Sequence, residues 1–423
     1  MIQSSHQSID TAAAMPDPQP GPSPTLRANE EQGVSLSRDA WRRLRRNRVA
    51  MVCLAGLVLL SLLAFFTPLL PLQPPRQVQT DLRYAPPTVS PLFIPALELT
   101  PERLQLVPAE LAEAETQLAA AREAVRMASP EELPAAKVAL AEAERRVNDV
   151  IQAPYREAKF GRLNALDRAM VRMRVAMFGS WSINSICGRD ELGRDLFSRL
   201  FWGARVSLIV GLVAALVSLV IGVTYGAIAG YLGGLVDDFM MRVVDIAYSI
   251  PFIFIVIYLI TILSEETIKN TLEGYGIDRI TIFFFVVGAI YWLTMARVVR
   301  GQVISLKNEP YVEAARSIGA SAPRILFLHI VPNLFSVILV YLTLTIPRVM
   351  LFEAFLSFLG LGVEPPDVSW GLLANEGIKI ITPVRIYWWL IVFPGLALGG
   401  TLFALNFFSD GLRDALDPRL KNR

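Results

Sequence analysis

The sequence predicts an all-α polytopic membrane protein: six transmembrane helices, plus a helical hairpin inserted outside the membrane. Three observations support this. Of 423 residues, 53% are apolar and only 18% charged, against roughly a quarter charged in an ordinary soluble domain. Six nearly charge-free runs stand near or above the ~20 residues a helix needs to cross ~30 Å of hydrocarbon. Lys and Arg gather in the flanks that this arrangement places on the inner side. Inside lipid the backbone has no water to bond, so such runs satisfy themselves as helices unless they close into a barrel.

Residues 1–35, rich in Pro, Ser, Gln and Ala, hold too little apolar surface to offset the entropy of ordering, and they read as a disordered cytoplasmic tail. Residues 36–72 form an anchor and the first span: Arg38, Arg42, Arg43, Arg45, Arg46 and Arg48 precede the run Val49–Leu72 and place the N-terminus in the cytoplasm. The run lies far from Met1 and is longer than the apolar segment of a cleaved leader, so a signal peptide is not expected.

Residues 73–186 then fall on the far side. Thr100-Pro101-Glu102 has the form of a helix start. Leu111, Leu118 and Val125 recur every seven residues, as do Leu133, Leu140 and Val147 beyond Ser129-Pro130. Heptad spacing lines side chains on one seam, so the two helices are expected to pack as an antiparallel hairpin. It serves either as a docking arm for a partner or as a spacer that packs on itself.

Residues 187–408 carry the runs Val206–Val236, Ile246–Ser264, Ile280–Ala296, Ile325–Pro347 and Ile386–Ser409. Arg297, Arg300, Lys307, Arg316 and Arg324 place the loop 297–332 in the cytoplasm, and Arg413, Arg419, Lys421 and Arg423 do the same for the tail 409–423. Arg242 and Asp245, at i and i+3, are expected to pair at a membrane mouth. Glu353, with Arg348 five residues earlier, is an ionisable group near hydrocarbon. Such a group suggests a gate or pathway, or more plainly an interfacial charge with a nearby partner.

Several classes are excluded. Two cysteines, Cys53 and Cys187, cannot build a disulfide framework or a thiolate zinc site, and two histidines leave most metal sites without ligands. A net charge of +2 argues against nucleic acid. No G-x-x-x-x-G-K-[ST] occurs, so the chain has no loop of that kind to cradle nucleotide phosphates, and no cofactor of its own is expected. An ion-driven secondary transporter would more often show two related halves and buried charges at midspan, and neither is evident. A membrane-embedded enzyme would need a catalytic constellation that the spans lack.

The stretch Asn308–Pro332 is the most informative. Pro310 suits a first helical turn and Gly319 a C-terminal stop, so a helix of about nine residues is isolated by its own punctuation. It is too short to stand alone in water and must be held by contacts. Ala314, Ala315 and Gly319 offer a small-sided patch, flanked by Glu313 and Arg316.

Glu313-Ala314-Ala315, then Gly319, then Pro332 thirteen residues on, resembles the E-A-A loop of permease subunits in binding-protein-dependent ABC importers. His329-Ile330-Val331-Pro332 is similar to the oligopeptide and dipeptide branch. So are Asp190-Glu191-Leu192-Gly193-Arg194-Asp195 with Ser198-Arg199, Leu356–Val363 with Ser369-Trp370-Gly371, and Gly411–Arg419. The resemblance implies a type I ABC importer permease fold and the C-type subunit. It covers roughly 36–72 and 187–420; the family usually lacks 73–186, and Cys187-Gly188-Arg189-Asp190 departs from its usual Leu-Gly-Thr-Asp.

The resemblance further implies an ATPase-coupling surface at Tyr311, Glu313, Ala314, Ala315, Arg316, Gly319, Ala320 and Pro332. The implied partners are a second, B-type permease, two cytoplasmic ATPases that bind the ATP, and an extracytoplasmic solute-binding protein, all at the bacterial inner membrane. Such permeases carry di- and oligopeptides, and also nickel chelates, glutathione or peptide antibiotics.

Overall fold

The computed structural model describes residues 36–95, 104, 108–161, 163–263, 265, 268, 279–363, 365, 367–383 and 385–416. The predicted N-terminal tail, the Thr100-Pro101-Glu102 helix start and the last basic residues lie outside them.

Helix α1 (Leu36–Arg46) turns into α2 (Arg48–Phe65) at Asn47, whose side chain accepts the Ala50 N–H at 3.1 Å and caps the second helix. Helix α2 stops at Phe65, short of the expected Leu72. Pro68 has no N–H for a continuing helix, and Thr67–Leu69 instead tightens into a single 3-10 turn.

The chain then builds a unit with its own small core. Helices α3 (Pro108–Met127) and α4 (Leu133–Glu157) pack side by side, with Glu113–Arg146 at 3.3 Å and Arg122–Glu144 at 3.8 Å across them. All six heptad residues named above are half-buried, as a shared seam requires. Both ion pairs are exposed and add little. Helix α5 (Ala165–Phe178) follows, capped by Asn164 accepting the Asp167 N–H at 2.7 Å. Strands β1 (Phe93–Pro95) and β2 (Trp181–Ile183) pair antiparallel, Phe93 opposite Ile183 and Pro95 opposite Trp181. Tyr155, Phe160, Leu163, Val171 and Val175 bury a small core here with Leu104.

Helix α6 (Leu196–Leu232) is 37 residues long, or ~55 Å at 1.5 Å per residue, and is the axle of the membrane part. It begins ten residues before the apolar run, because Asp195 caps it and accepts the N–H groups of Phe197 and Ser198. It packs most extensively on α9 (Arg279–Leu306). Between them, α7 (Gly234–Ser249) and α8 (Phe252–Leu263) are bent by 86°. A single straight third span from Ile246 to Ser264 is therefore not found. Pro251 removes an N–H and pushes Ile250 into extended backbone, which breaks the helix there.

After α10 (Pro310–Ser317) the chain re-enters as α11 (Ala322–Phe358). Its start is irregular: a π turn over Ile325–Ile330 and a 3-10 turn over Val331–Leu334 precede regular helix from Phe335. Pro332 accounts for this, since it can neither donate to residue 328 nor sit against that carbonyl. Helix α11 also runs past the expected end at Pro347 to Phe358. A short helix α12 (Trp370–Lys379) and the long α13 (Trp389–Leu416) complete the fold.

Among the described residues four helices, α2, α6, α11 and α13, are long and apolar enough to cross a bilayer, and the bent α7–α8 pair makes a fifth if it counts as one span.

Candidate coupling face and outer latch

Helix α10 has eight residues and defined ends. Glu309 is extended and Pro310 opens the helix. At the other end Gly319 has φ +84, and two bonds close a Schellman motif: Ala320 N–H to Ala315 C=O at 3.1 Å, and Gly319 N–H to Arg316 C=O at 3.0 Å. A side chain at Gly319 would meet no neighbour within 4 Å, so glycine is required there by backbone conformation and not by space.

The helix is held by its inner face. Val312 and Ala315 are buried against Ile325, Leu326, Ile330, Val299, Val303 and Ala227, which lie on α6, α9 and the start of α11. The expected small-sided patch thus divides. Ala315 and half-buried Ala320 face the protein's own spans, whereas Tyr311, Glu313, Ala314, Arg316 and Gly319 are exposed. Ile318 is 86% exposed at the tip, a large apolar residue that the sequence reading passed over. Pro332 is exposed and shapes the re-entry without touching this tip's outer surface.

Beside α10 the helix ends are clasped by charge. Arg300 donates to both Asp237 carboxylate oxygens, at 2.5 and 2.6 Å, and Lys307 donates to the Gly230 carbonyl at 3.0 Å. Asp245 pairs with Arg297 at 2.6 Å and not with Arg242, correcting the predicted mouth pair. The Arg297 guanidinium lies over the Tyr248 ring, 4.2 Å from its centre, which aims it across the helices at Asp245.

At the other end of α11, Glu353 is fully buried. Its Oε1 accepts from Ser357 at 2.7 Å and from Ser369 at 2.8 Å, while Oε2 has no partner among the described residues. Arg348 is exposed on a different face of α11, because five residues rotate a helix by ~140°. The expected Glu353–Arg348 grouping does not form. Glu353 instead anchors α12: the Ser369 hydroxyl that donates to it also accepts the Leu372 N–H, capping that helix. Trp370 is inserted beside it, its backbone N–H donating to Ser207 and its indole to the Leu200 carbonyl.

Helix α12 is latched from above as well. Arg199, 1% exposed, donates to Asp190 and to Glu376 of α12. Arg194 joins the same two carboxylates, at 2.7 and 3.5 Å. Removing one member of such a buried set typically costs ~3–5 kcal/mol, since the remaining charges lose their compensation. The adjacent Asp195 carboxyl is pushed by burial up to about 6, against the hydrogen bonds from Ser185, Ser198 and Phe197. Sequence inspection found the Asp190–Arg199 block by resemblance only. Its partner Glu376 lies nearly 180 residues away and carried no local signal.

Residues 222–422 match the family described as binding-protein-dependent transport system inner membrane component, and residues 35–87 match the N-terminal transmembrane domain of oligopeptide transport permease C. The chain is 44% identical to the dipeptide transport system permease protein DppC of Bacillus subtilis over 234 residues, 55% of this chain and 68% of that one. It is 47% identical to the oligopeptide transport system permease protein OppC of Escherichia coli K12 over 232 residues, covering 55% and 72%. A glutathione transport system permease protein, GsiD of Escherichia coli O6:K15:H31, is 40% identical over 236 residues, covering 55% and 72%. With apolar helices of spanning length and these likenesses, the chain belongs to the family of binding-protein-dependent transport system inner membrane components.

Proposed function

We propose that this chain is the C-type permease half of an ATP-driven importer that carries di- or oligopeptides across the bacterial inner membrane. The supporting observation is α10: its inner face is packed into three helices, α6, α9 and α11, and its other face leaves Tyr311, Glu313, Arg316 and Ile318 exposed among the described residues. A push on that face is transmitted to α6, α9 and α11 together, because Val312 and Ala315 are part of their shared core.

In this reading six spans cross the bilayer, α9 being the sixth, with both chain ends and α10 in the cytoplasm and the α3–α4 hairpin outside. A B-type permease completes the pathway, two ATPases dock on α10 and its counterpart, and a solute-binding protein delivers cargo. The chain contributes a coupling free energy and no bond-making chemistry. Glu353 and the Arg199 latch hold α12 against the outer ends of α6 and α11, where they position an outer gate. Glutathione is a second reading of the cargo, carried by the GsiD likeness.

The test is uptake into proteoliposomes holding the whole complex. Peptide uptake should require the binding protein and ATP inside the ATPase-bearing compartment, and should persist with a protonophore present. Uptake that follows an imposed ion gradient without ATP would overturn the proposal.

A further inference from the structure

Helix α5 carries apolar residues on both of its faces, one of them exposed. Asp167, Met170, Val171, Arg174 and Val175 are buried. The opposite face consists of Leu166, Ala169, Met173, Ala176 and Met177, all exposed, with Arg172 at its edge. An exposed stripe of this kind, ~100° wide, marks a helix that meets something apolar.

Two ties set the height of α5. At its first turn Asp167 pairs with Arg205 at 2.7 Å, and Arg205 is the residue immediately before the apolar run of α6. About two turns further on, the buried Arg174 guanidinium donates to the Leu70 carbonyl at 3.0 Å and the Leu72 carbonyl at 2.8 Å, just beyond the last turn of α2. The Thr67–Leu69 turn packs directly on α5. Burial pulls Arg174 down only to about 10, so it keeps its charge at neutral pH. Both ends of α5 are therefore pinned at the level where α2 leaves and α6 enters the apolar layer, and the helix must run along that plane.

The neighbouring spans carry exposed apolar side chains as well. Leu62, Phe65 and Phe66 at the end of α2 and Ile209 and Leu212 on α6 are exposed. Beyond α5, Trp181 is 55% exposed on β2, with exposed Phe93 on the paired strand. Aromatic side chains at this depth and a cation at the stripe's edge are what a headgroup boundary favours.

We infer that α5 is an interfacial helix, lying in the outer leaflet's headgroup boundary with Leu166, Met173 and Met177 in the acyl region and Arg172 among lipid phosphates. It seats the extracytoplasmic insertion on the bilayer. This rests on the membrane reading of the chain and not on ATP coupling, so it stands or falls apart from the transport experiment.

The test uses the assembled complex in lipid nanodiscs, with the environment-sensitive fluorophore NBD attached at Met173→Cys. The native Cys53 and Cys187 are both buried and so out of the label's reach, and burial also pushes the Cys187 thiol up to about 12. Emission should shift to the blue, and quenching by a nitroxide near the lipid glycerol should exceed that by aqueous iodide at least about twofold. The same label at the exposed Lys137→Cys on α4 should show the reverse order. Independently of any new cysteine, brominated lipids should quench the fluorescence lost in Trp181→Phe. Strong iodide quenching at position 173, or protection from both quenchers, as a covering protein would give, overturns the inference, as does a Trp181 contribution indifferent to bromolipid.

Discussion

Leucine in place of Gly226 is expected to abolish the folded chain. Gly222, Gly226 and Gly230 recur every four residues on the α6 face that meets α9. An added carbon at Gly226 would overlap the Ala296 carbonyl, and one at Gly222 or Gly230 would come within 2.8 Å of the Trp292 or Arg300 carbonyl oxygen. The obstacle is backbone, which cannot rotate out of the way as a side chain could. Overpacking against yielding side chains already costs ~1–3 kcal/mol. Here α6 and α9 would have to separate along their length and forfeit the close backbone approach that drives association in lipid, where no hydrophobic gain replaces it. The variant should be lost from the monodisperse peak of detergent-solubilised protein, and its apparent Tm should collapse. Gly301→Ala, on α9 where an added carbon meets nothing within 4 Å, should stay at wild-type yield. A normally folded Gly226→Leu protein would refute the tight α6–α9 contact.

Valine at Gly319 is expected to leave the fold and remove transport. Its left-handed backbone costs an L-residue ~1–2 kcal/mol, more for a branched side chain. That is a local charge against the Schellman closure of α10, and nothing in the chain is displaced by the side chain itself. Insertion, yield and the outer latch should therefore be unchanged, whereas ATP-dependent uptake should fall about tenfold or more, equivalent to ~1.4 kcal/mol of lost coupling. Gly319→Asn should recover much of it, because asparagine tolerates this conformation. If valine and asparagine were equally inactive, the defect would lie in contact with the ATPase and not in the turn.

Much of the architecture was readable from the sequence because it depends on one-dimensional signals. Charge-free runs, the Pro310–Gly319 punctuation and the heptads of α3 and α4 each report local physics: helices lie over most of the runs, and α10 ends where its punctuation says. Span ends were less readable. Pro68 stops α2 early and Pro251 breaks the third run, whereas Pro347 and Pro394 sit inside α11 and α13 without ending them; whether a proline breaks a helix depends on neighbours that no local window contains. The small-residue ladder at Gly222, Gly226 and Gly230 was present to be read and went unread. The pairings were beyond reach: Arg199 with Glu376, Asp245 with Arg297 and Glu353 with Ser369 join distant segments, and i, i+3 proximity wrongly favoured Arg242. The division of α10 into a buried Ala315 face and an exposed Ile318 tip likewise needed the spans beneath it.

The central claim is that the tip of α10 stands on the cytoplasmic side and is the surface the ATPases grip. Labelling Ile318→Cys with a membrane-impermeant maleimide tests it most directly, since the two native thiols are buried. Intact cells should leave the site unmodified, inverted vesicles stripped of ATPases should label it fully, and adding the ATPases back should protect it. Modification from the outside of intact cells, or labelling in inverted vesicles that the bound ATPases do not diminish, would contradict the account.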